Sequence, residues 1–481
     1  MKGLVVVVLA AGAALLVATV WWFKLESGPP SIEFQNVKPV VGRTGAWDVT
    51  IRTKGRPGLH NLNMQLRAGG QTYPLFSEEI PADAARQNER QLHVEADLAA
   101  AGVPQGPAQV EVSADTRAWH LFGGAPSGVA TQELSVDTVP PRIDLLTTQH
   151  NMRLGGAAIV VFRVDPDAVS AGVALGDYYF PAVRGYFADP NAALALFAVP
   201  QNLHIDARPT LRAVDAAGNT QDVAIPVLIK DRKFPERQLA IDDTFLQRKV
   251  PEILGKVHKP VPADLKEGYL EVNRDVRRES EEKLHQITAK SADHQLWTGV
   301  FHRQSNAAPM SAFADRRSYL YNGETIDRQT HLGYDLASLK NAPVEAAQDG
   351  IVVYADYLGI YGNTVVVDHG LGVASLYGHL SSIAVQSGQQ VKTGETLGQT
   401  GETGLAGGDH LHFSIMLRGV HIDPVEWWDP LWMREHIAAR LTSLPAAAPP
   451  APPPAVAADG AAAAADSAPA QADAAHGQAQ P

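Results

Sequence analysis

The sequence contains no cysteine in 481 residues, so it can form neither a disulfide nor a thiolate metal site. Basic residues are in deficit: 40 Lys and Arg stand against 52 Asp and Glu, for a formal net charge of −12. This balance excludes nucleic-acid binding as the main role, which calls for a clustered basic face. Aromatic residues make up only 7%, yet the apolar share of 45% is ample for real cores. The stretch 445–481 is mostly Ala, Pro and Gln, with three Asp and neither Lys nor Arg. It has almost nothing to bury and is expected to be disordered.

One long hydrophobic run stands out. Leu4 to Phe23 is 20 residues without a charge, roughly 30 Å as a helix and enough to span a bilayer. Lys2 precedes it, and Trp21-Trp22-Phe23 stand where an interfacial aromatic belt lies, followed by Lys24. No small-residue cleavage site follows the run, so residues 1–25 read as an uncleaved transmembrane anchor and not as a signal peptide. A lipoprotein is excluded, because there is no Cys to acylate. The expected placement is single-pass in the inner (cytoplasmic) membrane, with the bulk of the chain in the periplasm or extracytoplasmic space.

The length sets a prior of about three domains. Alternation of apolar and polar residues marks Trp47–Thr53, Gln91–Ala96 and Ala108–Ser113 as strands, with Gly, Pro and Asn at short intervals between them. The paired prolines of Val139-Pro140-Pro141-Arg142 mark a junction. Asp137-Thr138-Val139-Pro140-Pro141 resembles the opening of bacterial Ig-like modules, and Val214-Asp215-Ala216-Ala217-Gly218-Asn219-Thr220 the last hairpin of one. The expected class is therefore mainly β, with two β-sandwich (Ig-like) domains at 31–138 and 139–230. Five histidines scattered through them, His60, His93, His120, His150 and His204, form no cluster. Residues 231–296 are dense in charge, with Leu265, Tyr269, Val272, Val276, Leu284 and Ile287 at helical spacing. They predict a helical linker broken near Asn273, which either packs over a neighbouring groove or merely connects. A short helix is expected from Trp432 to Leu441.

The chemistry lies between 297 and 430. His331-Leu332-Gly333-Tyr334-Asp335 puts an imidazole and a carboxylate on one face if extended, and His410-Leu411-His412 does the same for two imidazoles. Joining the two strands would put His331, Asp335, His410 and His412 in one pocket. Two imidazoles and one carboxylate suit Zn2+ and leave a position for water, whose pKa then falls towards ~7. His379, in Tyr377-Gly378-His379-Leu380, and His410 suit acid–base work near neutral pH. Glycine-marked turns between Val385 and Gly398 read like those of a lipoyl- or biotinyl-type barrel, with Lys392 as a surface residue of a hairpin.

Taken together, Ser311-Ala312-Phe313-Ala314-Asp315-Arg316-Arg317, His331 to Asp335, Gly362-Asn363 through His369-Gly370, Tyr377 to Leu380, and Thr403-Gly404 through His412-Phe413 resemble the M23 family of zinc metallopeptidases, the LytM/lysostaphin-type peptidoglycan endopeptidases. The resemblance implies a C-terminal antiparallel β-sheet metallopeptidase domain of the lipoyl/hybrid-motif barrel kind at 297–430. It implies zinc on His331, Asp335 and His412, with His379 and His410 catalytic, and peptidoglycan stem peptides as the partner. Ala314 stands where the family usually has Gly, and Asp409 where a small or apolar residue is usual. The implied function is a membrane-anchored zinc metalloendopeptidase cutting peptidoglycan cross-links in cell-wall remodelling. The alternative is a non-catalytic LytM-type activator or scaffold of a cell-wall amidase. Members of that kind have usually lost zinc ligands, whereas this chain keeps all three. A cell-envelope protein partner for the Ig-like modules is compatible with either role, while His369 reads as structural.

Overall fold

Alternating burial along Thr44–Arg52, Leu59–Ala68 and Gly106–Thr116 turns one edge of each strand inward, and these strands build the first of two sandwiches. The computed structural model describes residues 11–19, 28–53, 58–81, 89–117, 126–147 and 150–447. Three strands (Ser31–Gln35, Thr44–Arg52, Glu89–Asp97) face five (Val40–Val41, Ser127–Val136, Gly106–Thr116, Leu59–Ala68, Gln71–Glu79) across a core that includes Trp47, Ile51, Leu62 and Val110. Of the expected membrane span, residues 11–19 are helical, and 4–10 and 20–23 lie outside the described residues. No helix among the described residues is long and apolar enough to cross a membrane. The Ala/Pro-rich tail from 448 onward also lies outside them.

A second sandwich of two four-stranded sheets follows, from Ile143 to Ala224. Asn219, 3% exposed, pins the junction between the two sandwiches. Its amide donates to the Asp137 carbonyl at 2.7 Å and to Asp215 at 2.9 Å, and its oxygen accepts from the Arg43 backbone N–H at 2.9 Å. Ala157–Val164 and Ala192–Ala198 are apolar almost throughout and buried on both faces. A half-exposed sheet would alternate; these strands do not, because their outer face meets the following domain. One hydrophobic core runs without a break from Ile143 to Leu441.

That domain is built on an antiparallel sheet. Its strands lie in the order Ala308–Ser311, Tyr334–Ala337, Leu411–Leu417, Val373–Leu380, Asn363–Gly370, Gly350–Tyr357 and Gln390–Val391, with Val420–Ile422 beside Leu411–Leu417. Both faces are covered, which explains the run Val365-Val366-Val367. Val365, Val367, Tyr377 and Ile415 join the core shared with the second sandwich, while Val366, Ala374, Leu376 and Met416 pack under helices. The helices come from the stretch expected as a linker: Asp243–Lys256, Leu265–Glu271 and Arg277–Thr288, with a π-helical turn at Val272–Val276 where the break near Asn273 was expected. One element there is not helical. Glu236–Ile241 is a strand that pairs in parallel with Asp315–Tyr321, since an unpaired edge of the Asp315–His331 hairpin offers backbone partners that outweigh a weak local pattern.

The seam between the second sandwich and the sheet domain is polar at one point. Asp423, 1% exposed in its side chain, meets Arg232 at 2.6 Å and Arg153 at 3.4 Å, while Glu426 meets Arg153 at 2.8 Å. Burial pushes the Glu426 carboxyl up to about 7, beyond what the opposing Arg153 charge restores. A carboxyl raised from 4.5 to about 7 holds its proton more tightly in the folded state. Its contribution is fully present below the unfolded value and is lost as pH rises through about 7, amounting to on the order of 3 kcal/mol. Glu426→Gln is therefore expected to flatten the fall in Tm between about pH 4.5 and pH 8. Parallel Tm–pH curves for the two proteins would show that the carboxyl is ionised throughout.

Candidate metal centre

His331 ends the strand Glu324–His331, and Asp335 lies in the next strand, Tyr334–Ala337. The two do not share one extended strand, as their spacing suggests. A corner at Leu332-Gly333 carries the chain from one sheet to the other, and Asp335 becomes the cross-strand neighbour of His412. Gly333 is required at that corner for space, because a Cβ there would lie 2.4 Å from Nε2 of His412. His412 and Ser414 point to the site, whereas Phe413 and Ile415 enter the opposite core, as strand alternation demands. His410 sits just before the strand, in an isolated bridge with Gly401.

Three atoms converge. His331 Nε2 lies 2.9 Å from Asp335 Oδ1 and 3.0 Å from His412 Nδ1, and His412 Nδ1 lies 3.1 Å from Asp335 Oδ1. The outer nitrogens fix the tautomers. His331 Nδ1 faces the Ala312 carbonyl at 3.1 Å and must carry a proton to meet it. Ser414 donates its own hydroxyl to the Leu332 carbonyl at 2.9 Å, so its oxygen accepts from His412 Nε2 at 3.0 Å. Both inward nitrogens then present lone pairs to each other and to a carboxylate, with no proton between them. Such a triangle of acceptors fits a cation. Ligand atoms ~2.0–2.1 Å from a tetrahedral zinc stand about 3.3 Å apart, close to the spacing found. All three residues are buried, and their outer atoms are held as metal-binding histidines require.

The remaining carboxylate oxygen is also engaged. Arg317 donates to Asp335 Oδ2 at 2.9 Å and to Ser311 Oγ at 2.8 Å, and Ser311 donates to Asp315 at 2.9 Å. Burial opposes ionisation of Asp335, yet its carboxyl is held well below the usual carboxylate range. Burial pushes His412 down to about 4. His379 and His410 flank the triangle with ring centroids 4.9 Å apart. His379 Nδ1 faces the Thr403 carbonyl at 2.9 Å, and His410 Nδ1 the Gly408 carbonyl at 2.8 Å, so each keeps Nε2 as its free lone pair. Burial holds His379 well below its ordinary value. His410 rises in spite of burial, because its Nε2 lies 3.6 Å from Asp335. His379 has φ of +64°, a conformation that few side chains tolerate and that recurs at functional sites.

The five residues line a cavity of about 720 Å³. Its far wall comes from the stretch 237–277 and includes Arg237, Phe245, Arg248, Tyr269 and Arg277. Of these, helical spacing marks Tyr269 alone, and the charge of Arg237, Arg248 and Arg277 reads as an ordinary solvated face. Tyr361 also lines it; its ring sits 5.1 Å from that of His412, and its hydroxyl donates to Glu281 at 2.6 Å. His369 is fully buried, with ring nitrogens bonded to the Asp349 carbonyl and Ser375. Ala314 has φ of +61°, which accounts for glycine at that place in the family pattern. Asp409 is tied to Thr400 at 2.6 Å and the Asn341 N–H at 3.2 Å. Lys392 is exposed and paired with Asp349 at 2.8 Å. Gly333→Ala should displace the His412 ring and weaken zinc binding by about 10–100-fold with the circular dichroism spectrum retained. Wild-type zinc affinity in a competition titration would refute that reading of the corner.

Part of the chain resembles known proteins in sequence. Residues 329–424 match the model of peptidase family M23. The chain is 39% identical over 95 residues to the DD-carboxypeptidase/endopeptidase Mpg of Neisseria meningitidis serogroup B, covering 20% of this chain and 22% of that protein. It is 40% identical over 89 residues to the peptidoglycan DD-endopeptidase ShyA of Vibrio cholerae, covering 18% and 21%. It is also 38% identical over 95 residues to the murein hydrolase activator EnvC of Escherichia coli, covering 20% and 23%. The chain thus spans about a fifth of the length of these curated relatives. Among solved structures, a putative M23 peptidase from Pseudomonas aeruginosa aligns over 56% of this chain and 92% of its own, at 21% identity and a TM-score of 0.35. Residues 329–424 of this chain form a domain of peptidase family M23.

Proposed function

We propose that this chain is a zinc-dependent metalloendopeptidase that hydrolyses peptide bonds in peptidoglycan cross-links. The observation that carries the reading is the triangle of three inward lone-pair atoms, on His331, Asp335 and His412, with two further histidines beside it. His331 Nε2, Asp335 Oδ1 and His412 Nδ1 would hold the ion. A zinc ion bound there supplies Lewis acidity and a water whose pKa falls towards ~7. The protein's own groups do the rest. His379 and His410 each offer Nε2 to take a proton and return it to the leaving amine, and to hydrogen-bond the developing oxyanion. Their division of labour belongs to the pair and not to either ring alone. Arg317 holds Asp335 in place by occupying its second oxygen. The cavity of about 720 Å³ accommodates a peptide segment.

The reading includes an N-terminal membrane anchor at 4–23 with the bulk of the chain outside the cytoplasm, supported by the uncharged run and its aromatic boundary. A second reading, an activator of a cell-wall hydrolase, is favoured by the likeness to a protein named as a murein hydrolase activator. The complete donor set argues for catalysis.

Incubating the chain from Ser31 onward with cross-linked peptidoglycan is expected to release muropeptides, with one zinc per chain. His331→Ala and His412→Ala should lose both metal and release. His379→Ala and His410→Ala should keep the metal and lose about 10²–10⁴-fold in rate. Chelation should abolish release, and added zinc should restore it. Metal at full occupancy without release, together with stimulation of a separate amidase, would establish the activator instead.

A further inference from the structure

The helix Asp243–Lys256 lies outside the M23 match yet reaches the acid–base pair. Asp242 caps it by accepting from the Phe245 N–H, and Leu246, Val250, Ile253 and Leu254 bury one face. Lys249, on the same side, is only 2% exposed. A buried ammonium requires partners, and here they are the Glu402 carbonyl and Glu252, the latter at 3.0 Å. Glu252 in turn accepts from the backbone N–H of Gly404 at 3.0 Å.

That N–H belongs to the same peptide group as the Thr403 carbonyl, which faces His379 Nδ1 at 2.9 Å. In a planar trans peptide the N–H and C=O point in opposite directions. Glu252 on one side and His379 on the other therefore grip the two ends of one plane. A carboxylate on the N–H also polarises the carbonyl and strengthens its bond to the imidazole. The Thr403 side chain is anchored separately, donating to the Leu380 carbonyl at 2.9 Å and accepting from the Asn363 N–H at 3.0 Å. Those bonds hold the Thr403 side chain and do not touch the Thr403–Gly404 peptide group itself; the next N–H, of Leu405, donates to the Ile360 carbonyl at 2.8 Å. Gly404 adds no side-chain brake of its own; its φ is +68°, and a Cβ there would lie 2.4 Å from the Gly362 nitrogen.

We propose that Glu252, paired with Lys249, is a positioning residue for His379 and acts through the Thr403–Gly404 peptide to hold the Nδ1–H tautomer, leaving Nε2 as the lone pair facing the reaction. The proposal rests on the reading of His379 as an acid–base group. It assigns the stretch before the M23 match a part in the site itself.

The test uses the chain from Ser31 onward with Glu252→Ala and Glu252→Gln. Muropeptide release gives kcat and KM, and bound zinc is measured alongside. Imidazole ¹⁵N spectra of histidine-labelled protein, with the His379 signal identified by its loss in His379→Gln, report the tautomer. Glu252→Ala is expected to lower kcat about 100-fold, with KM and zinc content unchanged and the His379 signal shifted to a tautomer mixture. Glu252→Gln, whose amide oxygen still accepts from the Gly404 N–H, should restore most of kcat and the single tautomer. Wild-type kcat and an unchanged His379 spectrum in Glu252→Ala would overturn the proposal. So would equal loss in both variants accompanied by loss of zinc, which marks a merely structural role. If the wild type releases no muropeptides, the enzymatic reading fails by itself. The spectra still decide the positioning: a tautomer lost in Glu252→Ala and restored in Glu252→Gln supports it, and an unchanged one refutes it.

Discussion

Three acceptor atoms facing one another at about 3 Å set the terms for the whole domain. Two imidazole lone pairs and a carboxylate repel one another unless a cation lies between them, so every outer atom has to be held from behind. The Ala312 carbonyl holds one ring, Ser414 and Leu332 the other, and Arg317 the carboxylate. Each of those groups sits on a different segment. The sheet has to bring them together before any metal arrives, which favours rigid strands over loops as their carriers.

Rigidity comes from coverage on both faces. The second sandwich contributes to one core and the helical stretch to the other, and the strands between them read as unbroken apolar runs. Segments that would pass as connectors are therefore part of the support. The strand Glu236–Ile241 extends the hairpin that ends at His331, and the helix after it clamps the loop on which His379 depends. The acidic seam around Asp423 and Glu426 fixes the sandwich to the same sheet. A cut at the edge of the M23 match would expose buried Tyr269, Val272, Val276 and Leu284.

Much of the site was legible in residue order. His331, Asp335, His379, His410 and His412 were named from their spacing and context, and the structure gathers all five around one cavity. The reason is local: short motifs on neighbouring strands are brought together by pairing, and strand alternation predicts which side chains share a face. The alternation argument failed in one place. His331 and Asp335 lie on different strands, joined by a glycine corner, and they meet through the register of Asp335 with His412. That the stretch 231–296 packs over a groove was one of two readings left open, and which of its residues form the wall was not legible. Arg237 and Phe245 on the wall, and Glu252 behind it, lie far along the chain from the histidines, and neither a short strand nor a charged amphipathic helix marks which residue turns toward the site.

The sequence alone determined the chemistry on offer: which residue types can hold a divalent cation, which can move a proton near neutral pH, and that no thiol takes part. It also determined that the fold would be mainly β, because alternation and turn residues act over a few positions. Only the tertiary structure decided which nitrogen of each ring faces inward, that the expected linker forms a wall of the cavity, and that Glu252 shares a peptide plane with His379. Those outcomes depend on contacts between distant segments. Such contacts are selected by the packing of whole faces against one another, and no local pattern encodes them.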